Sequence, residues 1–145
     1  MVVFFGGGFI QGGGSLAVPP SAYPILNVSA QNDILFVYPN YRVNTFGFLP
    51  GKEIAEDESS DLNPGLLDQR AVLEWVNKYI DQFGGDKDNV GIWGQSAGAG
   101  SVVFVTPFNT SRAIPLIYRM HVLTNNNLIQ RTSPRHFRGN HSTLF

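Results

Sequence analysis

Runs of apolar residues in this chain predict strands that are buried on both faces. Val2–Phe5 is one such run, and Ile34–Tyr38 is a second, preceded by polar residues. A third run, Val90–Trp93, is followed by a pentapeptide with two glycines and a serine, and then by small residues (99–103) that can open a helix. Strands of this kind, separated by helical stretches, are typical of a parallel sheet covered by helices.

The clearest helix is predicted over residues 64–83. Asn63 is a favourable N-cap residue, and Pro64 fits the first helical position because its missing N–H is not needed there. Apolar residues recur at intervals of seven, three, four and three and so form one stripe: Leu66, Leu73, Val76, Ile80 and Phe83. Gly84 and Gly85 are expected to end the helix. The whole pattern predicts the α/β class, with a mostly parallel sheet flanked by helices.

Composition fits a globular domain and excludes several other classes. The 145 residues amount to one domain at most; 43% are apolar and 14% are charged, against about 25% charged in a typical soluble domain. The chain has no cysteine, which excludes disulfides and cysteine-ligated metals. No apolar run approaches the roughly 20 residues of a membrane span. The first five residues are too short for a signal peptide and carry no basic residue, so we interpret them as a strand.

Charge is distributed unevenly, although the net charge is only −1. All eleven acidic residues lie between Asp33 and Asp88, whereas five arginines and all three histidines follow Asp88. The arginines are dispersed and lie in no nucleic-acid-binding motif, so we expect no nucleic-acid partner. The last forty residues thus belong to a different compositional regime. We expect a domain at residues 1–103, whose extent is that of the family resemblance given below, and an atypical C-terminal segment at 104–145, either foreign to the domain or disordered.

The pentapeptide Gly94-Gln95-Ser96-Ala97-Gly98 matches the pattern G-x-S-x-G. In hydrolases with this pattern the serine projects from a sharp turn between a strand and a helix, and the flanking glycines leave room for that turn. The glycine-rich run of residues 6–14 follows the first predicted strand. Such enzymes place there the backbone N–H groups that stabilise the oxyanion of ester hydrolysis. Each feature is weak alone, but together and in this order they predict a serine hydrolase.

The chain resembles the N-terminal-to-middle part of a type B carboxylesterase, the cholinesterase-like branch of the α/β-hydrolases that includes fungal lipases. The resemblance lies in VVFFGGGF (2–9), FVYPNYRVNTFGFL (36–49) and NPGLLDQRAVLEWVNKYIDQFGGDKDNVGIWGQSAGAGSV (63–102). It implies a partial α/β-hydrolase fold with Ser96 as the nucleophile. The oxyanion-hole donors that it implies are the N–H groups of Gly7, Gly8 and Ala97. It also implies no cofactor or metal, a small-molecule or lipid ester as substrate, and a longer, secreted parent protein.

Two substitutions and one omission set the chain apart from the family pattern. Phe5 stands where His or Tyr often precedes the glycines, and Gln95 stands where Glu often precedes the serine. In this fold the catalytic triad runs Ser, then Asp or Glu, then His, yet no carboxylate side chain follows Ser96. Three histidines follow the serine too closely to be expected as the triad base: His121, His136 and His141.

The alternative function is a non-catalytic cholinesterase-like fold or an inactive truncated product. The missing acid and base favour inactivity for the 145 residues alone, whereas Ser96 and the intact glycine run favour catalysis in the parent protein.

A dinucleotide-binding fold is disfavoured. Residues 12–17 match G-x-G-x-x-G/A, but they do not follow the strand directly, and the prolines at 19 and 20 do not continue a helix that could bind a pyrophosphate.

Overall fold

The computed structural model describes residues 1–15, 22–29, 33–105, 118–124 and 127–132, the last two ranges by their backbone alone. Within this part of the chain four strands form one sheet in the order β1-β2-β3-β4. Their bounds are β1 Val2–Phe4, β2 Val90–Gln95, β3 Tyr118–Thr124 and β4 Asn127–Thr132. The first three strands are parallel, and β4 runs antiparallel to β3.

Helices and short 3₁₀ turns connect and cover the described strands. The helices are α1 Tyr23–Val28, α2 Lys52–Glu56, α3 Pro64–Tyr79 and α4 Ala97–Val105. The 3₁₀ turns are Asn44–Phe46 and Ile80–Phe83. Helix α4 packs against β1, β2, β3 and α3. Parallel strands with packed helices confirm the predicted α/β class.

Strand β1 lies in the core, as its apolar run predicts. All three of its side chains are buried, and Val90 and Ile92 of the neighbouring β2 are buried as well. The two strands are parallel, with Phe4 beside Gly94. Because parallel strands end at the same edge of a sheet, the residues that follow β1 and those that follow β2 are brought together.

The strand predicted over Ile34–Tyr38 is present only as one parallel bridge, between Val37 and Val2. The carbonyl of Val37 accepts a hydrogen bond from the N–H of Val3 at 2.9 Å, and its N–H donates to the carbonyl of Met1 at 2.8 Å. Pro39 follows two residues later and offers no N–H to extend the pairing. The prediction of a full strand is therefore wrong, although the run does lie against the sheet.

Helix α3 confirms the predicted helix, with its last turn, Ile80–Phe83, in the 3₁₀ form. Pro64 lies in the first turn as expected, but the side chain of Asn63 makes no capping hydrogen bond. Gly84 follows in the left-handed conformation with φ of 81°, which suits a glycine. Most of the apolar stripe packs in or against the core, whereas Phe83 is exposed.

Strands β3 and β4 have no counterpart among the elements predicted from the sequence. Residues 104–132 show no clear hydrophobic period, and β3 obtains its place by pairing along the whole of β2, from Val90 beside Tyr118 to Gln95 beside Leu123. The division of the chain at residue 103 stays a prediction.

We predict that the 145 residues, produced alone, self-associate. Several large apolar side chains are exposed on the described surface, among them Val28 (85%), Phe46 (80%) and Phe104 (67%), and exposed apolar surface favours association. Size-exclusion chromatography with light scattering should show soluble aggregates or loss of material on the column. A monodisperse monomer that binds no hydrophobic dye would contradict this prediction.

Candidate active site

Ser96 is the single residue between the end of β2 and the start of α4. Its φ is +56°, one of three positive values for non-glycine residues in the described part of the chain, and its side chain is exposed. Its carbonyl accepts the first hydrogen bonds of α4, from the N–H groups of Ala99 at 2.9 Å and Gly100 at 3.3 Å. A left-handed conformation is strained for a serine, and packing around the turn has to hold it. Ser96 therefore projects from a sharp turn between a strand and a helix, as the motif predicts.

The two glycines of the motif are required by close approaches between backbone segments. A β-carbon on Gly94 would collide with the carbonyl of Gly98. A β-carbon on Gly98 would collide with the carbonyl of Phe4, at the end of β1. The turn is thus too tight for side chains at either position, and it is packed directly onto the backbone of the neighbouring strand.

The glycine run passes beside Ser96. A β-carbon on Gly6 would lie 2.7 Å from the carbonyl oxygen of Gln95 and 3.1 Å from Cβ of Ser96. Gly7 and Gly8 follow with φ of +120° and +65°. The carbonyl of Gly7 accepts hydrogen bonds from the N–H groups of two later residues, at 3.1 and 3.2 Å, so the run forms a compact turn. The structure therefore brings together two features that lie about ninety residues apart in the sequence.

The far end of this turn is fixed by the segment that precedes α2. Phe9 has a positive φ of 62°, and its carbonyl accepts a hydrogen bond from the N–H of Asn44 at 2.7 Å. Its ring packs on Phe48 with centroids 5.0 Å apart. The N–H of Gly14 donates to Oδ1 of Asn40 at 2.7 Å. These contacts anchor the loop on the side away from β1.

The near end of the turn is held by Tyr41, which was not among the predicted site residues. Its hydroxyl donates a hydrogen bond to the carbonyl of Phe5 at 2.7 Å, and its ring stacks on that of Phe5 with centroids 4.1 Å apart. Burial raises the pKa of Tyr41 to about 12, so the hydroxyl keeps the proton that it donates throughout the neutral range. Phe5 thus supplies both a stacked ring and an acceptor carbonyl for Tyr41.

Arg42 forms an ion pair with Asp68, the only pair of an arginine and a carboxylate in the described part of the chain. Its Nε and Nη2 atoms lie 2.8 and 2.7 Å from Oδ2 and Oδ1 of Asp68, and its backbone N–H donates to the same carboxylate at 2.9 Å. The hydrogen bonds from Arg42 lower the pKa of Asp68. The pair joins the Tyr41 segment to α3, and Asp68 is occupied by this structural contact.

No acid and base pair accompanies Ser96 in the described residues. No carboxylate follows it in the sequence, and His121 is placed only by its backbone, beside Trp93 in β2. His136 and His141 lie outside the described residues, as do residues 16 and 17 of the glycine pattern that resembles a dinucleotide-binding motif. Among the described side chains no group of three metal-ligating residues occurs, and no described helix is long and apolar enough to cross a membrane.

Comparison with known proteins gives concordant matches over most of the chain. The model of the carboxylesterase family matches residues 1–127. The chain is 50% identical over 98 residues to secreted lipase 1 of Botryotinia fuckeliana (strain B05.10), covering 68% of this chain and 17% of that protein. It is 45% identical over 102 residues to lipase 2 of Geotrichum candidum, covering 70% of this chain and 18% of the relative. The chain thus spans less than a fifth of the length of these relatives.

Solved structures agree with the sequence matches. The crystal structure of Aspergillus niger EstA is 42% identical and superposes with a TM-score of 0.58, over 71% of this chain and 19% of that one. A PNB esterase structure is 43% identical with a TM-score of 0.57, over 70% of this chain and 21% of that one.

The close approach at Gly98 can be tested against a neighbouring glycine in the same helix. Gly98→Ala should lower the free energy of unfolding of the parent protein by about 1–3 kcal/mol or more, because the new methyl group meets backbone that cannot easily move. Gly100→Ala is the control, since its β-carbon would make only ordinary contacts, 3.6 Å from Phe9 and 3.8 Å from Phe104. That variant should gain about 0.5–1 kcal/mol from helix propensity. Chemical denaturation measures both, and equal effects of the two substitutions would contradict the packing described for Gly98.

Proposed function

The chain belongs to the carboxylesterase family, and on that premise we propose that its parent protein hydrolyses carboxylic esters with Ser96 as the nucleophile. The observation that carries this proposal is the position of the glycine run beside Ser96, with the Gly6 backbone against the Ser96 side chain. A nucleophile and a set of backbone donors have to meet in this way for acyl transfer.

The reaction proposed for the site is a two-step acyl transfer. The Ser96 hydroxyl oxygen attacks the ester carbonyl carbon and loses its proton to a base, and the carbonyl oxygen becomes an oxyanion. The N–H groups of Gly7, Gly8 and Ala97 are the proposed donors to that oxyanion. The alcohol then leaves with a proton, and water hydrolyses the acyl–serine ester. The base and the acid that orients it are proposed to follow Ser96 in the parent protein, as the order of the triad in this fold requires.

The names of the relatives support a proposed substrate class and location. Several are named secreted lipases or carboxylic ester hydrolases, so a small-molecule or lipid ester and a secreted parent protein are proposed. The alternative, that the 145 residues alone are catalytically inactive, is favoured by the absence of any carboxylate after Ser96. The two proposals are compatible, because one concerns the parent protein and the other this chain by itself.

The nucleophile is tested by covalent labelling. A fluorophosphonate probe should label the parent protein, and Ser96→Ala should abolish both the labelling and the hydrolysis of p-nitrophenyl butyrate. Ser59→Ala is a matched control, because Ser59 is an exposed serine on the loop after α2, where it hydrogen-bonds to Asp57. Labelling that survives Ser96→Ala would contradict the assignment.

The backbone donors are tested by comparing two neighbouring glycines. At Gly7 the φ of +120° is unsuited to other residues, and a β-carbon would collide with the carbonyl of Gln11. Gly7→Ala should therefore distort the loop and lower kcat by up to the roughly 10²–10³-fold that one donor contributes. At Gly8 no atom lies within 4 Å of the added β-carbon.

Gly8→Ala should accordingly cost only the strain of a left-handed alanine, about 1–2 kcal/mol, and should keep most of the turnover. Steady-state kinetics on p-nitrophenyl butyrate separate the two variants. Wild-type kcat in Gly7→Ala would show that the loop only connects β1 to the following segment.

A further inference from the structure

Three buried polar side chains lie beneath Ser96 and the glycine run, each from a different part of the chain. Nε2 of Gln69, in α3, donates a hydrogen bond to Oγ of Ser101, in α4, at 2.9 Å. The Ser101 hydroxyl lies next to the hydroxyl of Tyr41 and, by hydrogen bonding, offsets part of the rise that burial causes in the pKa of Tyr41. The Tyr41 hydroxyl donates to the carbonyl of Phe5 at 2.7 Å. Gln69 and Ser101 are fully buried and Tyr41 is 6% exposed, so water does not compete for these bonds.

The chemistry of the acceptors fixes the direction of the bond at the Phe5 end of this hydrogen-bond chain. A carbonyl can only accept, so the Tyr41 proton goes to Phe5. Ser101 accepts from the Gln69 amide, so its own proton is available to the Tyr41 oxygen. The polar contacts therefore run from Gln69 through Ser101 and Tyr41 to Phe5, and Gln69 and Tyr41 are the donors of the two outer bonds. Bonds connected in this way strengthen one another, and loss of one hydroxyl interrupts the whole chain.

The two sides of the proposed active site are joined by this hydrogen-bond chain. Phe5 directly precedes the glycine run, and Ser101 lies in the helix that begins immediately after Ser96. The peptide between Phe5 and Gly6 is planar and trans, so the direction of the Phe5 carbonyl also fixes the direction in which the glycine run leaves β1. A rotation of that one peptide would move Gly7 and Gly8 relative to Ser96.

We propose that Tyr41 is a positioning residue, which through the Phe5 carbonyl holds the glycine run at the distance and orientation from Ser96 that catalysis requires. This inference rests on the proposed function and assigns it a residue that does not touch the substrate. Tyr41 acts through its hydroxyl, and its ring stacking on Phe5 is a separate contribution. Loss of the hydroxyl leaves the Phe5 carbonyl buried without its donor, and the peptide then turns toward another partner.

The test uses Tyr41→Phe in the parent protein, which keeps the stacked ring and removes only the hydroxyl. We expect kcat for p-nitrophenyl butyrate to fall about 10- to 100-fold, part of the roughly 10²–10³-fold that a whole oxyanion donor contributes. KM should change by less than about threefold, because the groups that bind the substrate are untouched. Tyr79→Phe is the matched control. It removes a tyrosine hydroxyl at the C-terminal end of α3 and should leave kcat unchanged.

A second pair of variants separates positioning from general loss of stability. Val76→Ala truncates a buried core residue of α3 and should lower the melting temperature at least as much as Tyr41→Phe while keeping kcat. Ser101→Ala interrupts the same hydrogen-bond chain and should lower kcat in the same direction. It also decides the question if Tyr41→Phe does not fold: reduced kcat in Ser101→Ala supports the inference, and wild-type kcat overturns it.

Wild-type kcat in a folded Tyr41→Phe would overturn the inference, as would a kcat loss in Val76→Ala in proportion to its lower melting temperature. Ser96→Ala, assayed in parallel, distinguishes this failure from failure of the proposed function. Abolished turnover in Ser96→Ala with full turnover in Tyr41→Phe would contradict only the positioning role of Tyr41 and leave the proposed nucleophile standing. Turnover that persists in Ser96→Ala would contradict the assignment of Ser96 as the nucleophile and, with it, the role assigned to Tyr41.

Discussion

The structure depends on the close approach of two backbone segments, the turn at Ser96 and the end of β1. Gly98 lies against the carbonyl of Phe4, and Gly6 lies against Gln95 and Ser96, at separations that leave no room for a β-carbon. The parallel pairing of β1 with β2 brings these segments to the same edge of the sheet. The glycines then allow them to touch. The sheet supplies the location of the candidate site, and the glycines supply its tight geometry.

Strain at the site is held by the packing beneath it. Ser96 keeps a left-handed φ because α4 is anchored on both sides, by its apolar face in the core and by Ser101 in the buried hydrogen-bond chain. The glycine run is anchored in the same way, through Tyr41 at one end and Asn44 at the other. A strained residue persists only where several independent contacts hold its conformation. Here the core and the polar contacts both do so.

Local patterns in the sequence predicted the α/β class, strands β1 and β2, helix α3 and the turn at Ser96. Helix α3, the buried β1 and the turn at Ser96 follow from spacing, caps and glycines, which act over a few residues. The extent of strand pairing was not predictable in this way: Ile34–Tyr38 has the composition of a strand and forms one bridge, whereas β3 lacks a clear period and pairs fully with β2. Tyr41 was missed because its partner, Phe5, lies 36 residues away, and only the folded chain shows that they meet.

We propose that the glycine run and the turn at Ser96 form one acyl-transfer site. A crystal structure of the parent protein after reaction with a fluorophosphonate tests it most directly, because the phosphonyl oxygen stands where the oxyanion would form. Phosphorus should be bonded to Oγ of Ser96, with the phosphonyl oxygen about 2.7–3.1 Å from the backbone nitrogens of Gly7, Gly8 and Ala97. A phosphonyl oxygen directed away from these nitrogens, or an adduct on another residue, would contradict it.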